Sequence, residues 1–210
     1  MPPHPSLPIR ALSILLLALW AAAVPAAEIL AGDLRRLAAG EVLVTLRPVP
    51  AGGPQEGIGR GVIEAPPERV FRALTDWAHA AEWMPFVERS DAAPQPDGSV
   101  VSYQLLDLPA PLGDRHYKIR ARAAVEGQGR ARVWRTRWSY VPGSGNVADH
   151  RGSWELTELA PGRTLATCRL YTDPGGSVPD WMMDRATRKS LPWIFNGLRQ
   201  QVRRSRYDRP

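Results

Sequence analysis

The sequence predicts an α+β domain in which a run of antiparallel strands is followed by one long C-terminal helix. Two observations carry this. From Gly98 to Tyr171 the apolar pattern alternates with a period of two, broken by turn clusters such as Gly127-Gln128-Gly129, Pro142-Gly143-Ser144-Gly145 and Ala160-Pro161-Gly162. Strands joined by turns this short pair antiparallel. Near the end the period changes: Leu191, Ile194, Phe195, Leu198 and Val202 repeat close to 3.6 residues and form one apolar stripe of a helix.

The elements follow in order. Arg10, then ALSILLLALWAAA (11–23), then Val24-Pro25-Ala26-Ala27 give a basic residue, a short apolar core and small residues. That pattern predicts a secretory signal peptide over residues 1–26, cut after Ala26 or Ala27, and an exported protein, periplasmic or secreted. Residues 27–210 then form a single domain. Asp33 caps a short helix over 33–39, ended by Gly40. Residues 41–49 and 58–64 read as strands around the turn at 51–54. A helix opens at residues 65–68, where proline suits a first turn, and Val70, Phe71, Leu74, Trp77 and Ala81 give it one buried face. Pro85 forces a boundary nearby. Strands are predicted over 99–106, 115–126, 130–140, 149–159 and 164–171, with a proline-rich loop at 107–114. The last helix spans 178–204, with Ser177 as N-cap, Pro179 in its first turn, and Pro192 as a kink point.

The formal net charge is +6, and +5 once the leader with Arg10 is removed. A basic exported chain points to an anionic membrane surface as a transient partner rather than to nucleic acid. The basic tail at 203–210 reads as solvated. Cys168, the sole cysteine, lies in an apolar run and reads as a buried, inert thiol.

The strands carry the functional clue. Tyr117, Ile119, Ala121, Ala123 and Val125 share one face, and Lys118, Arg120 and Arg122 the other; Trp134, Trp138 and Tyr140 repeat the pattern on the next strand. One face is wet and basic, the other covered. Large rings beside alanines line a cavity or pack against the last helix; the residues alone leave both open.

GRGVIEAPPERVFRALTDWAHAAEWMPFVERS (59–90), DRHYKIR (114–120), GSWELTEL (152–159) and RLYTDPGGSVPDWMMDRATRKSLPWIFNGLRQQV (169–202) resemble, in that order, bacterial START-type sequences of the START-like (SRPBCC) superfamily, which also holds polyketide cyclases and the birch pollen allergen. The resemblance covers roughly residues 40–204. It implies the helix-grip fold: a curved antiparallel sheet wrapped around the long C-terminal helix, with an internal apolar cavity that takes a lipid, sterol or quinone-like molecule. The candidate ligand-binding residues are Trp83, Tyr103, Arg115, Tyr117, Trp134, Trp138, Trp154, Trp181, Met182 and Phe195. Trp181, Met182 and Met183 open the last helix, and are expected either at the tunnel mouth as a gate or packed on Trp83-Met84-Pro85. Arg115 has the parity of Tyr117 and is expected to orient a ligand head or to pair with Asp107 or Asp114.

No Gly-x-Ser-x-Gly or His-Glu-x-x-His motif occurs, and Gly57–Gly61 lacks the Gly-Lys-Ser/Thr of a phosphate loop. His79, His116 and His150 sit in different elements, so no metal or other cofactor is expected. Asp149 and His150 are strand neighbours and point to opposite faces. The leading expectation is a carrier of one hydrophobic small molecule and not an enzyme. A cyclase- or hydrolase-like enzyme on the same fold and an envelope interaction protein with a filled core are the alternatives.

Overall fold

The computed structural model describes residues 31–208, apart from 51, 111 and 177. The expected signal peptide and the Ser177 cap lie outside the described residues. The elements are α1 (Ala31–Ala38), β1 (Leu43–Arg47), β2 (Glu56–Ile63), α2 (Pro67–Thr75), a 3-10 turn (Trp77–Glu82), β3 (Val87–Pro94), β4 (Val100–Leu106), β5 (Arg115–Glu126), β6 (Val133–Tyr140), β7 (Asp149–Ala160), β8 (Arg163–Asp173) and α3 (Asp180–Gln201). The strands form one antiparallel sheet in the order β1-β2-β8-β7-β6-β5-β4-β3. The sheet curves around α3, which makes this the helix-grip fold.

β3 is a strand that the apolar pattern does not announce. Its sequence VERSDAAP has no alternation, carries three charges and ends on proline, and most of it is exposed. Those are properties of an edge strand, which needs only one partner. The predicted helix over 65–81 divides at Asp76, whose non-helical backbone (φ −83°, ψ 67°) separates α2 from the 3-10 turn.

β2 explains the glycine-rich stretch. Gly57, Gly59 and Gly61 alternate on the face that meets α3, and a Cβ at Gly61 would stand 2.6 Å from the Phe195 ring. The missing side chains let the helix lie close on the strand. On the opposite face Val62 packs with Leu37 of α1 and Leu165. This end of the sheet is therefore covered on both sides, and β2 is buried at six of its eight positions rather than at every second one.

At the other end the cover runs out. Tyr117, Ile119 and Ala121 are buried, but Ala123 and Val125 are exposed, so the covered face of β5 is shorter than its parity predicts. The outer face is basic but laced with acids. Asp97 pairs with Arg122, and Arg135 with Glu126 and Glu155.

The C-terminal tail is not simply solvated. Tyr207 is buried, accepts a hydrogen bond from Gln201 Nε2 at 2.8 Å and donates to Asp76 Oδ2 at 2.8 Å. Arg204 and Arg206 both reach Glu82, at 3.0 and 2.9 Å. The tail thus straps the end of α3 to the turn that follows α2.

Candidate functional site: an apolar cavity under the last helix

Between α3 and the sheet lies a cavity of about 350 Å³, inside the usual range for small-molecule sites. Its inner wall comes from five neighbouring strands. They contribute Gln104 (β4), Tyr117 and Ile119 (β5), Trp138 (β6), His150 and Trp154 (β7), and Cys168 and Leu170 (β8). α3 closes one side with Met183, Thr187 and Ile194. The rim is made by Trp83–Val87, by Leu108, Pro109 and Leu112 of the β4–β5 loop, and by Lys189 and Trp193 of α3. Phe86 and Trp193 meet there with ring centroids 5.8 Å apart, and both are partly exposed. Phe86 holds a left-handed backbone (φ 64°), a conformation a bulky residue rarely adopts and one that clusters at binding sites.

Two polar pairs interrupt the apolar wall. Tyr117 and Gln104 are directly opposite in the β4–β5 register, and the Tyr117 hydroxyl donates to Gln104 Oε1 at 3.1 Å. His150 and Thr172 are likewise opposite, with His150 Nδ1 2.9 Å from Thr172 Oγ1. The Tyr117 and His150 rings lie 4.7 Å apart. Burial disfavours the imidazolium and pushes the His150 pKa down to about 4, so its ring is neutral at pH 7. Burial pushes the Tyr117 hydroxyl and the Cys168 thiol up, so both stay protonated. Asp149 does not face His150; it pairs with Arg151 on the outer face, as strand parity predicts. The indole N–H groups of Trp83 and Trp138 are buried without a hydrogen-bond partner.

The ten candidate residues separate into groups. Trp83, Arg115, Tyr117, Trp138 and Trp154 line the cavity. Trp134 and Phe195 are buried in the core instead; Phe195 packs on Trp154 with centroids 5.0 Å apart, and a Cβ at Gly61 would run into its ring. Tyr103 sits on the outer face, where its ring meets His116 and the Arg89 guanidinium 5.9 Å away. Trp181 is 64% exposed and Met182 is off the cavity, while their neighbour Met183 is buried and lines it. Trp83 packs on Gly197 near the far end of α3.

Arg115 points to the rim as its parity suggests, but neither Asp107 nor Asp114 comes within ion-pair distance. Its Nη1 donates to the Asp114 carbonyl at 3.2 Å, and its Nε is buried without a partner.

Gln104, His150, Met183 and Trp193 complete the site beyond the ten. His150 shares the parity of Trp154, a signal present in the sequence. Gln104 carries none, because polar Ser102 and Gln104 face inward while the aromatic Tyr103 faces out.

Comparison with known proteins agrees with this architecture. The pattern of the family described as polyketide cyclase/dehydrase and lipid transport matches residues 60–204. An uncharacterised protein of Pseudomonas aeruginosa is 29% identical over 141 residues, which is 65% of this chain and 66% of that protein's length. The fold is similar to a crystallised fragment of a STAR-related lipid transfer protein from Xanthomonas axonopodis (22% identity, TM-score 0.66, 78% of this chain and 94% of that one). It is similar to human StAR-related lipid transfer protein 5 (17%, 0.64, 81% and 90%). It is also similar to the ZhuI aromatase/cyclase of a Streptomyces species (16%, 0.54, 71% and 93%). On its fold and on a family match that spans most of its length, the chain belongs to the polyketide cyclase/dehydrase and lipid-transport family of the START-like superfamily.

Proposed function

We propose that the protein binds one hydrophobic small molecule in this cavity and delivers or holds it near a membrane. The observation that carries the reading is the cavity itself: about 350 Å³ of mostly apolar space, opening at a rim of partly exposed aromatic rings. An envelope interaction protein with a filled core would have no use for it. Lipid transfer is in the names of two of the structural neighbours. The basic surface favours transient docking on anionic lipid, and the leader-like residues 1–26 favour export. Native mass spectrometry of the protein, purified from its own host without detergent, tests the reading. A stoichiometric bound lipid or quinone supports it and names the cargo, whereas an apo mass together with failure to take up any offered lipid overturns it.

A second reading has its own observation. Gln104, Tyr117, His150 and Thr172 converge inside the cavity, a denser polar set than simple storage requires. This favours an enzyme of the cyclase or hydrolase kind, with His150 as a weak neutral base. Turnover of an aromatic poly-oxo substrate that is lost in His150→Gln distinguishes it from a carrier.

A further inference from the structure

The charges around the cavity say what kind of head its occupant carries. Among the described residues Arg115 and Lys189 are the cationic side chains on its lining, and no aspartate or glutamate lines it. The remaining titratable groups there are held neutral by burial: His150 by its lowered pKa, Tyr117 and Cys168 by raised ones. The site is therefore an apolar cavity with positive charge at its rim. Elsewhere on the molecule arginines meet carboxylates at short range, as Arg169 meets Glu56 and Arg163 meets Glu64. Among the described residues Arg115 forms no ion pair; its Nη1 donates to the Asp114 carbonyl and its Nε is buried without a partner. The guanidinium uses one donor on the Asp114 carbonyl at the exposed rim, which leaves its remaining donors open to an anionic group.

We infer that the cargo is a single-chain amphiphile with an anionic head, a carboxylate or a phosphate monoester, seated on Arg115, with Lys189 as the second cation of the lining. This inference rests on the cavity-binding reading and specifies its ligand. The planar fork of Arg115 matches the two oxygens of such a head, and Lys189 adds a point charge from the exposed side of α3. The tail runs inward past Tyr117 toward Trp154 and Cys168. It breaks no hydrogen bond on the way, because Tyr117 is already paired with Gln104, and His150 with Thr172. About 350 Å³ stands at the lower end of the usual range for ligand sites, so the space takes one acyl chain rather than two.

The test is isothermal titration of the purified protein with four monomeric ligands of one chain length: dodecanoate, dodecyl phosphate, dodecanol and dodecyltrimethylammonium. The expected result is that one or both anions bind at least about tenfold tighter than the alcohol, the size of a charge-assisted hydrogen bond. Whichever anion binds better names the head. Arg115→Gln should remove most of that preference, with an unchanged circular dichroism spectrum and melting transition showing that the variant is folded. The exposed variant Lys189→Gln should remove a smaller, salt-screened share. Equal binding of anion and alcohol overturns the charge inference and leaves the cavity reading intact, as does a preference that survives both substitutions together. Failure of all four ligands to bind overturns both.

Discussion

His150 shows how one buried side chain links the cavity to stability. In the unfolded chain its imidazole takes up a proton near pH 6.5; in the folded protein burial delays this to about pH 4. Between those values the unfolded state binds more protons, so stability falls as pH falls, by roughly 3 kcal/mol in all, and the loss is complete below about pH 4. Urea unfolding of wild type and His150→Gln at pH 7 and pH 4 checks this: the variant should lack most of that slope. Tyr207 makes a second prediction. Its hydroxyl bonds Gln201, which is fully buried, and Asp76. Tyr207→Phe leaves Gln201 short of a partner and should cost about 1–3 kcal/mol in thermal or chemical unfolding. The sequence placed neither effect. It showed that His150 shares a face with Trp154, but the lowered pKa arises from burial, and the neighbours Tyr117, Trp138 and Thr172 come to His150 through the sheet and not along the chain.

At the scale of elements, β2 and β4 mark where pattern reading succeeds and where it misleads. In β2 the glycines at 57, 59 and 61 are spaces for α3. Gly61→Ala forces a methyl against the buried Phe195 ring and should destabilise the protein by about 1–3 kcal/mol, read as a lowered denaturant midpoint. In β4 two of the inward positions, Ser102 and Gln104, are polar and an outward one is Tyr103, so a rule that turns rings inward selects the wrong face. The reason lies in the tertiary partners: Gln104 faces a cavity and pairs with Tyr117, while Tyr103 finds partners in Arg89 and His116 outside. β3 was silent for a different reason. An edge strand is held by backbone pairing to one neighbour and needs no apolar alternation, so nothing in VERSDAAP records it.

For the whole molecule the proposed carrier function raises the question of how a ligand would enter. The rim joins three separate parts of the chain: Trp83–Val87, the β4–β5 loop, and α3 around Trp193. Trp193 is half exposed and Phe86 is held against it in a strained backbone, so on the proposed carrier reading these two apolar rings are the membrane-facing part of the rim. Trp193→Ala should slow transfer of a bound lipid to anionic liposomes while changing stability little, because half of the ring is already solvated. Trp181→Ala should slow transfer less, because Trp181 is not on the rim. Equal effects of the two variants in a fluorescence transfer assay would return the gate to the first turn of α3.

The sequence by itself determined the kind and order of nearly every element, from the turn at Ala65-Pro66-Pro67 to the stripe of the last helix. These are set by local period and turn chemistry, which a single chain segment carries in full. It also determined that Asp149 and His150 part company, because strand parity is local too. The tertiary structure alone decided which aromatic rings border empty space. Trp138 and Trp154 line the cavity, Trp134 and Phe195 fill the core, and Tyr103 and Trp181 lie outside, although all six belong to similar apolar patterns. That sorting depends on what covers each face, and the cover comes from elements distant in the chain: α2 on β6, α3 on β2, and the C-terminal tail on the turn after α2.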